Sequence, residues 1–245
     1  MKTALITGAN KSIGFETARQ LLQLGYHVYL GSRDLQKGQQ AADQLQAEGH
    51  AAVTALQIDV TDPASIAAAR TELGQHTRVL DVLINNAGIS GGMPQPTLTT
   101  AVSVVKEVFE TNVFGVMEVT QAFLDLLRES AAPRIVNVTS GLGSLTLHTD
   151  PTWKYYPVKG AAYMPSKAAL NAYTIMLAYE LRDTSFKVNA VDPGYTATDF
   201  NHHSGPGSVP DAAARVVKAA LLGPDGPTSQ FFSDDNAPET GISPW

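Results

Sequence analysis

The chain has 245 residues, 44% of them hydrophobic and 16% charged, a balance that supplies one full-sized α/β core. The formal net charge is −6 with no long basic run, which argues against a nucleic-acid partner, because phosphate binding needs clustered Lys and Arg. The absence of cysteine excludes disulfides and thiolate metal sites, and no apolar run reaches the roughly 18 residues of a membrane span. The chain opens directly on a short apolar strand with no room for a signal peptide, so a soluble, cytoplasmic protein is expected.

In chain order, residues 2–7 (KTALIT) read as a strand buried on both faces. A turn over 8–14 follows, then a helix over 13–24 with Phe15, Ala18, Leu21 and Leu22 on one side and Gly25 as its stop. A second strand is expected over 27–31. Asp34 caps a helix running to Glu48, which Gly49 ends. The third strand covers 51–58, and Asp62-Pro63 opens the next helix. A strand over 79–84, a long helix over 99–127 and a strand over 134–138 come next. The remainder reads as a helix over 163–181, a strand over 187–191, a helix over 211–221 and a short strand over 229–232. Strands alternating with helices throughout predict a doubly wound, parallel sheet of about seven strands with helices on both faces, in a single domain over 1–245. Two irregular segments, 141–160 and 195–210, follow strands and so lie at the carboxyl edge, where such sheets bind ligands. The tail from Gly223 reads as a surface segment ending in Pro244-Trp245.

The stretch Tyr163-Met-Pro-Ser-Lys167 places a phenol and an amine one helical turn apart. A phenol near pKa ~10 is a poor acid or base at neutral pH. A neighbouring ammonium favours the phenolate, so the pair forms a proton-transfer device that neither residue forms alone. Pro165 is compatible with that helix only in its first turn. Tyr155 and Lys159 also stand four apart, but Pro157 and Gly160 favour irregular chain there and remove the helical geometry. At the other end of the chain, TGANKSIG lies between the first strand and the first helix, with Gly8, Ser12 and Gly14 as its small residues. Small residues let a backbone approach phosphate, and a helix N-terminus favours negative charge there, so this is a candidate pyrophosphate loop.

TGANKSIG, NNAG at Asn85 to Gly88, Ser140, Tyr163-x-x-x-Lys167 and Pro193-Gly194 occur together in the order and context of the short-chain dehydrogenases/reductases. The chain resembles the short, single-domain branch of that family over roughly 2–232, and its opening third is similar to the carbonyl reductases. The resemblance implies a Rossmann-type fold and an oxidoreductase in which Asn112, Ser140, Tyr163 and Lys167 are catalytic. In that scheme Tyr163 is the general acid/base, Ser140 holds the substrate oxygen, and Lys167 lowers the phenol's pKa and binds the nicotinamide ribose. Asn112 holds a water that connects Lys167 to solvent. The implied cofactor set is Gly8, Asn10, Lys11, Ser12, Ile13 and Gly14 in the first loop, Ser32 and Arg33 after the second strand, Asp59 and Val60 at the adenine, Asn86, Ala87 and Gly88, Tyr163 and Lys167, then Pro193, Gly194 and Thr196. Ser12 departs from the family's usual glycine. NAD-preferring members carry an acid where Ser32 stands. The neutral residue here, with Arg33 after it and Lys11 opposite, favours NADP(H), since two cations suit a 2′-phosphate.

For the substrate, Met93, Leu142, Leu145, Trp153, Tyr156 and Tyr195 are candidate pocket walls. Their apolar and aromatic character points to a hydrophobic ketone or aldehyde, or the corresponding alcohol. A carrier-linked 3-oxoacyl reductase is the alternative; it requires a basic docking surface, for which only Lys154 and Lys159 are at hand. A catalytically silent NADP-sensing module is a third reading, opposed by the intact Asn112, Ser140, Tyr163 and Lys167. His202-His203 and Asp234-Asp235 are read as loop residues, not metal sites. Family members pair the helices equivalent to 99–127 and 163–181 between subunits, so the resemblance implies a homodimer or homotetramer.

Overall fold

A computed structural model describes all residues, 1–245. Seven parallel strands form one sheet: β1 (Thr3–Ile6), β2 (His27–Ser32), β3 (Val53–Gln57), β4 (Val82–Asn85), β5 (Arg134–Val138), β6 (Lys187–Val191) and β7 (Phe231–Phe232), in the order β3-β2-β1-β4-β5-β6-β7. The helices are α1 (Ser12–Gln23), α2 (Leu35–Ala47), α3 (Pro63–His76), α4 (Val102–Phe109), α5 (Gly115–Arg128), α6 (Tyr163–Glu180) and α7 (Val209–Ala220). Alternation along the strands builds two cores. Ala4 and Ile6 of β1, Val28 and Leu30 of β2, and Val82 and Ile84 of β4 face one way and pack with α1, α2 and α7. Leu5, Tyr29 and Leu83 face the other way and pack with α3, α5 and α6. Strand order reverses between β1 and β4, which opens a crevice at their carboxyl ends. No helix is long and apolar enough to cross a membrane.

The expected elements all form, with β4 starting at Val82 instead of residue 79 and β7 shortened to Phe231–Phe232, and four further departures have physical causes. The helix expected over 99–127 begins at Val102, because Thr99 and Thr100 are used in a turn on the Pro96 carbonyl. It is also interrupted: Glu110–Phe114 form a wider π-turn between α4 and α5. The third strand is shorter than 51–58, since its pairing with β2 starts at Val28↔Val53. Helix α7 starts two residues before Asp211, because the Ser208 side chain accepts the Asp211 N–H at 3.2 Å and caps it.

The tail runs over the surface, as expected, but is anchored at three buried positions, Phe231, Ser233 and Ser243. Phe231 is fully buried in β7, the Ser243 N–H bonds the Phe231 carbonyl at 2.8 Å, and the Trp245 ring stacks on Phe231 at 5.5 Å. The Thr146 N–H, in the loop after β5, bonds the Trp245 carbonyl at 3.0 Å. Polar composition concealed this, because the buried anchors include Ser233 and Ser243.

Candidate active site

The turn after β1 is fitted to close backbone approach. Gly8 has φ +63°, and a Cβ there would lie 2.9 Å from the Ala87 Cα. A Cβ on Gly14 would meet the Gly8 carbonyl oxygen and the Asn86 amide nitrogen, both at 2.6 Å. Ser12 takes φ +56°, the left-handed region in which a side chain is strained, which accounts physically for a preference for glycine at this position. Asn86 braces the turn: its amide donates to the Thr7 and Gly8 carbonyls, both at 3.0 Å. Thr7 Oγ1 accepts the N–H groups of Asn86 and Ala87. Among the expected cofactor residues, Asn86 and Ala87 therefore act at least as sheet braces, and the loop Gly8–Asn10–Lys11–Ser12–Ile13–Gly14 opens onto the crevice at the head of α1.

Beyond the second strand, Ser32 is buried and donates to the Asp34 carbonyl at 2.8 Å. Asp34 accepts the Lys37 N–H and caps α2, as expected. Arg33 is exposed and lines a hollow of about 330 Å³ with Gln57, Asp59, Asp62 and Ser65. Lys11, expected to share a phosphate with Arg33, instead pairs with Asp199 at 2.9 Å. Asp59 combines two roles. One oxygen accepts the Thr61 N–H and hydroxyl, making a turn. No hydrogen bond within the chain engages its other oxygen, and Val60 is buried. An electrically open cation, a glycine cradle with no Cβ in the way, and a carboxylate oxygen on the same edge fit a dinucleotide.

At the reaction end, Ser140 follows β5 and its hydroxyl accepts the Leu142 N–H at 3.2 Å. Thr139 and Ser144 are buried, and each is committed to a local bond, Thr139 to the Lys167 carbonyl and Ser144 to the Leu147 N–H. Helix α6 starts at Tyr163, so Pro165 falls in its first turn, where no N–H is missed. A Cβ on Gly143 would lie 2.9 Å from the Asn171 amide, so the turn after Ser140 packs directly on α6.

Burial drives the Tyr163 phenol above its ordinary pKa; the Ser140 hydroxyl pulls it back, and the Asp192 carboxylate pushes it up again. The expected acidification by Lys167 is not among these effects. Lys167 is buried, its Nζ donates to the Val138 carbonyl at 2.9 Å, and it lies 5.8 Å from the Tyr163 ring centre. Burial lowers its pKa to about 8, while Asp192 works in the opposite direction. Lys167 is thus mostly charged at pH 7 and loses its proton as pH rises past about 8.

Asn112 is fully buried in the π-turn. Its amide donates to the Ile89 carbonyl at 2.9 Å and the Ser166 hydroxyl at 3.0 Å, and it accepts the Ile89 N–H at 2.9 Å. Its side chain holds the loop after β4 against α6, with both amide hydrogens used and one bond accepted at its oxygen. A Cβ on Gly88 would be 3.3 Å from Asn112 and 3.6 Å from the Lys167 amine, which places all three residues together.

The alternative pair, Tyr155 and Lys159, lies in turn and irregular chain and not in a helix, as expected. The Tyr155 hydroxyl donates to Asp235 at 2.8 Å, and Lys159 donates to the His148 carbonyl at 2.9 Å. Pro193 accepts from Arg215 at 2.7 Å, and the Gly194 N–H donates to Asp192 at 3.0 Å. Thr196 is buried and bonds the Gly194 carbonyl at 3.2 Å. Of the candidate pocket walls, Met93, Leu145 and Tyr195 are exposed, and Leu142 and Tyr156 half-buried. Trp153 is 9% exposed and packs against His148 and Tyr155, with its indole N–H on Asn236 at 3.3 Å, so it offers little surface to a ligand. Phe200, absent from the sequence reading, stands 5.5 Å from the Tyr163 ring. Asp192 was missed as well: it is buried and accepts the Ser233 hydroxyl at 2.6 Å. Neither has a periodic signal, because Phe200 lies in a single 3-10 turn, Asp199–Asn201, and Asp192 just beyond the end of β6.

Comparison with known proteins agrees with this geometry. The family model described as short chain dehydrogenase matches residues 2–208. (−)-Isopiperitenone reductase of Mentha piperita is 36% identical, covering 96% of each chain. The structure of salutaridine reductase from Papaver somniferum superposes with a TM-score of 0.83 at 32% identity, covering 96% of this chain and all of that one. An NADPH-bound carbonyl reductase from chicken fatty liver gives 0.85 at 26% identity, covering 100% and 99%. The chain belongs to the short-chain dehydrogenase/reductase family and is an oxidoreductase acting between an alcohol and a carbonyl.

Proposed function

We propose that the protein reduces a hydrophobic ketone or aldehyde with NADPH, and that Ser140, Tyr163 and Lys167 carry the reaction with Asn112 in support. The observation that carries this reading is that Tyr163 and buried Lys167 share the first turns of α6, with the Lys167 amine 5.8 Å from the Tyr163 ring centre and the Ser140 hydroxyl acting on the phenol. When bound, the reduced nicotinamide supplies the hydride. Tyr163 then delivers its proton to the developing alkoxide oxygen, and Ser140 donates a hydrogen bond to that oxygen. The phenol is protonated at neutral pH and can give its proton to an alkoxide, a far stronger base; burial weakens it as an acid, and the Ser140 hydroxyl offsets part of that effect. Lys167 contributes positive charge behind the phenol and ribose, and Asn112 keeps the loop beside it in place.

Arg33 supports NADPH over NADH: it is exposed, no ion pair engages it, and Ser32 is neutral. The carrier-linked alternative is weakened, because Lys154 is paired with Asp235 at 2.6 Å and Lys159 is held on His148. A homodimer or homotetramer is favoured by Met176 and Tyr179, which leave the outer face of α6 apolar and exposed. A small-molecule carbonyl substrate and a cytoplasmic site of action complete the reading.

The test is NADPH consumption against a panel of apolar ketones, with NADH in parallel. Turnover should favour NADPH, and Arg33→Asp should invert or erase that preference by at least about tenfold. An unchanged ratio in the variant rejects the cofactor assignment; no oxidation with any ketone rejects the substrate class.

A further inference from the structure

Helix α6 lacks a cap of its own. Ala162 stands at its N-cap without a side-chain bond, its first turn carries no acid, and Pro165 has no N–H. The first N–H groups of a helix need acceptors from elsewhere. Here they come from a residue 68 positions earlier. The Gln95 side-chain oxygen accepts the N–H of Ala162 at 3.2 Å and of Tyr163 at 3.0 Å. Its amide donates to the carbonyls of Ser90 at 2.6 Å and Gly92 at 2.7 Å. Gln95 is 2% exposed, and all four of its hydrogen-bonding positions are filled by backbone groups. The backbone joins as well: the Ala161 N–H bonds the Gln95 carbonyl at 3.0 Å, and a parallel bridge pairs Gln95 with Gly160. A Cβ on Gly160 would fall 3.1 Å from the Gln95 oxygen, so the fit leaves little slack.

The loop that Gln95 grips is the one that Asn112 holds at Ile89, and Asn112 also bonds Ser166 of α6. Loop and helix are therefore joined at two points on either side of Tyr163. We propose that Gln95 is a positioning residue for the proton donor: it caps α6 in trans and sets where the Tyr163 phenol stands relative to the loop after β4. It is 2% exposed with its side-chain polar atoms engaged by backbone, so it acts through Tyr163. This inference rests on the reading of Tyr163 as the acid.

The experiment compares wild type, Gln95→Leu, Gln95→Glu and Tyr163→Phe, with kcat expressed per NADPH-binding site titrated by fluorescence. Leu removes the acceptor and both donors at similar volume; Glu keeps the acceptor that caps α6. Gln95→Leu should lower kcat per site at least tenfold, with NADPH affinity and ketone KM within threefold of wild type. Gln95→Glu should restore at least half of the lost activity on a logarithmic scale. A role confined to folding would lower the melting temperature and the yield of sites, and leave kcat per site untouched. Folded Gln95→Leu with kcat per site within twofold of wild type overturns the inference, and so does Gln95→Glu as impaired as the Leu variant. If Gln95→Leu does not fold, Gln95→Glu decides: kcat per site above about a third of wild type supports the cap, and a tenfold or greater loss overturns it. Wild type and Tyr163→Phe turning over equally would instead reject the underlying assignment of the acid.

Discussion

Ser12 carries a local cost that the sequence shows only as an unusual letter in a familiar loop. Its left-handed φ of +56° is unfavourable for any residue with a Cβ. Ser12→Gly should therefore stabilise the fold by about 1 kcal/mol, read as an increase in the urea midpoint at constant slope. A midpoint that stays or falls would mean that the hydroxyl compensates. Lys167 carries a larger cost. Its pKa in the folded chain is about 8, below the ordinary lysine value. Between the two values the unfolded chain binds a proton that the folded chain does not, so this group makes stability rise with pH across that window. Below about pH 8 the native state bears the full penalty of a buried ammonium. Lys167→Met should then be more stable than wild type at pH 7, and the difference should shrink as pH climbs from about 8 towards 10. Melting curves across that range measure it, and a difference independent of pH would remove burial as the cause.

Elements were legible where periodicity and caps agree. Helix α2, with Asp34 at its head, and α6, with Pro165 in its first turn, follow the sequence reading because each signal has one local cause. The π-turn at Glu110–Phe114 was not legible, since a wide turn preserves the apolar stripe and changes only the bond pattern. Likewise nothing adjacent in sequence marks the cap of α6, because its acceptor comes from Gln95 in a distant loop. The Tyr155 segment tests whether a tyrosine four before a lysine matters without a helix. Tyr155 holds Asp235 and sits against Trp153. Tyr155→Phe should cost about 1 kcal/mol in stability and leave kcat within about threefold. A collapse of turnover in that variant would relocate the acid.

At the scale of the whole molecule, what the sequence hid is the anchoring of the tail. Composition marked it as solvent-facing, yet Asn236 ties three separate segments: its amide donates to the Gly141 carbonyl and the Ser243 hydroxyl, both at 3.1 Å, and it accepts from Trp153. Such cross-links between remote loops have no signature in local pattern, whereas the βα alternation that defines the sheet repeats along the entire chain. Asn236→Ala should cost about 2 kcal/mol and raise ketone KM more than it changes NADPH affinity, because it frees the turn after Ser140. Equal effects on both ligands would mean that the tail supports the fold alone. The catalytic assignment itself is tested most directly by kcat for an apolar ketone with saturating NADPH in wild type and Tyr163→Phe. The account predicts a loss of at least about a hundredfold with NADPH affinity within twofold; turnover within threefold of wild type would contradict it.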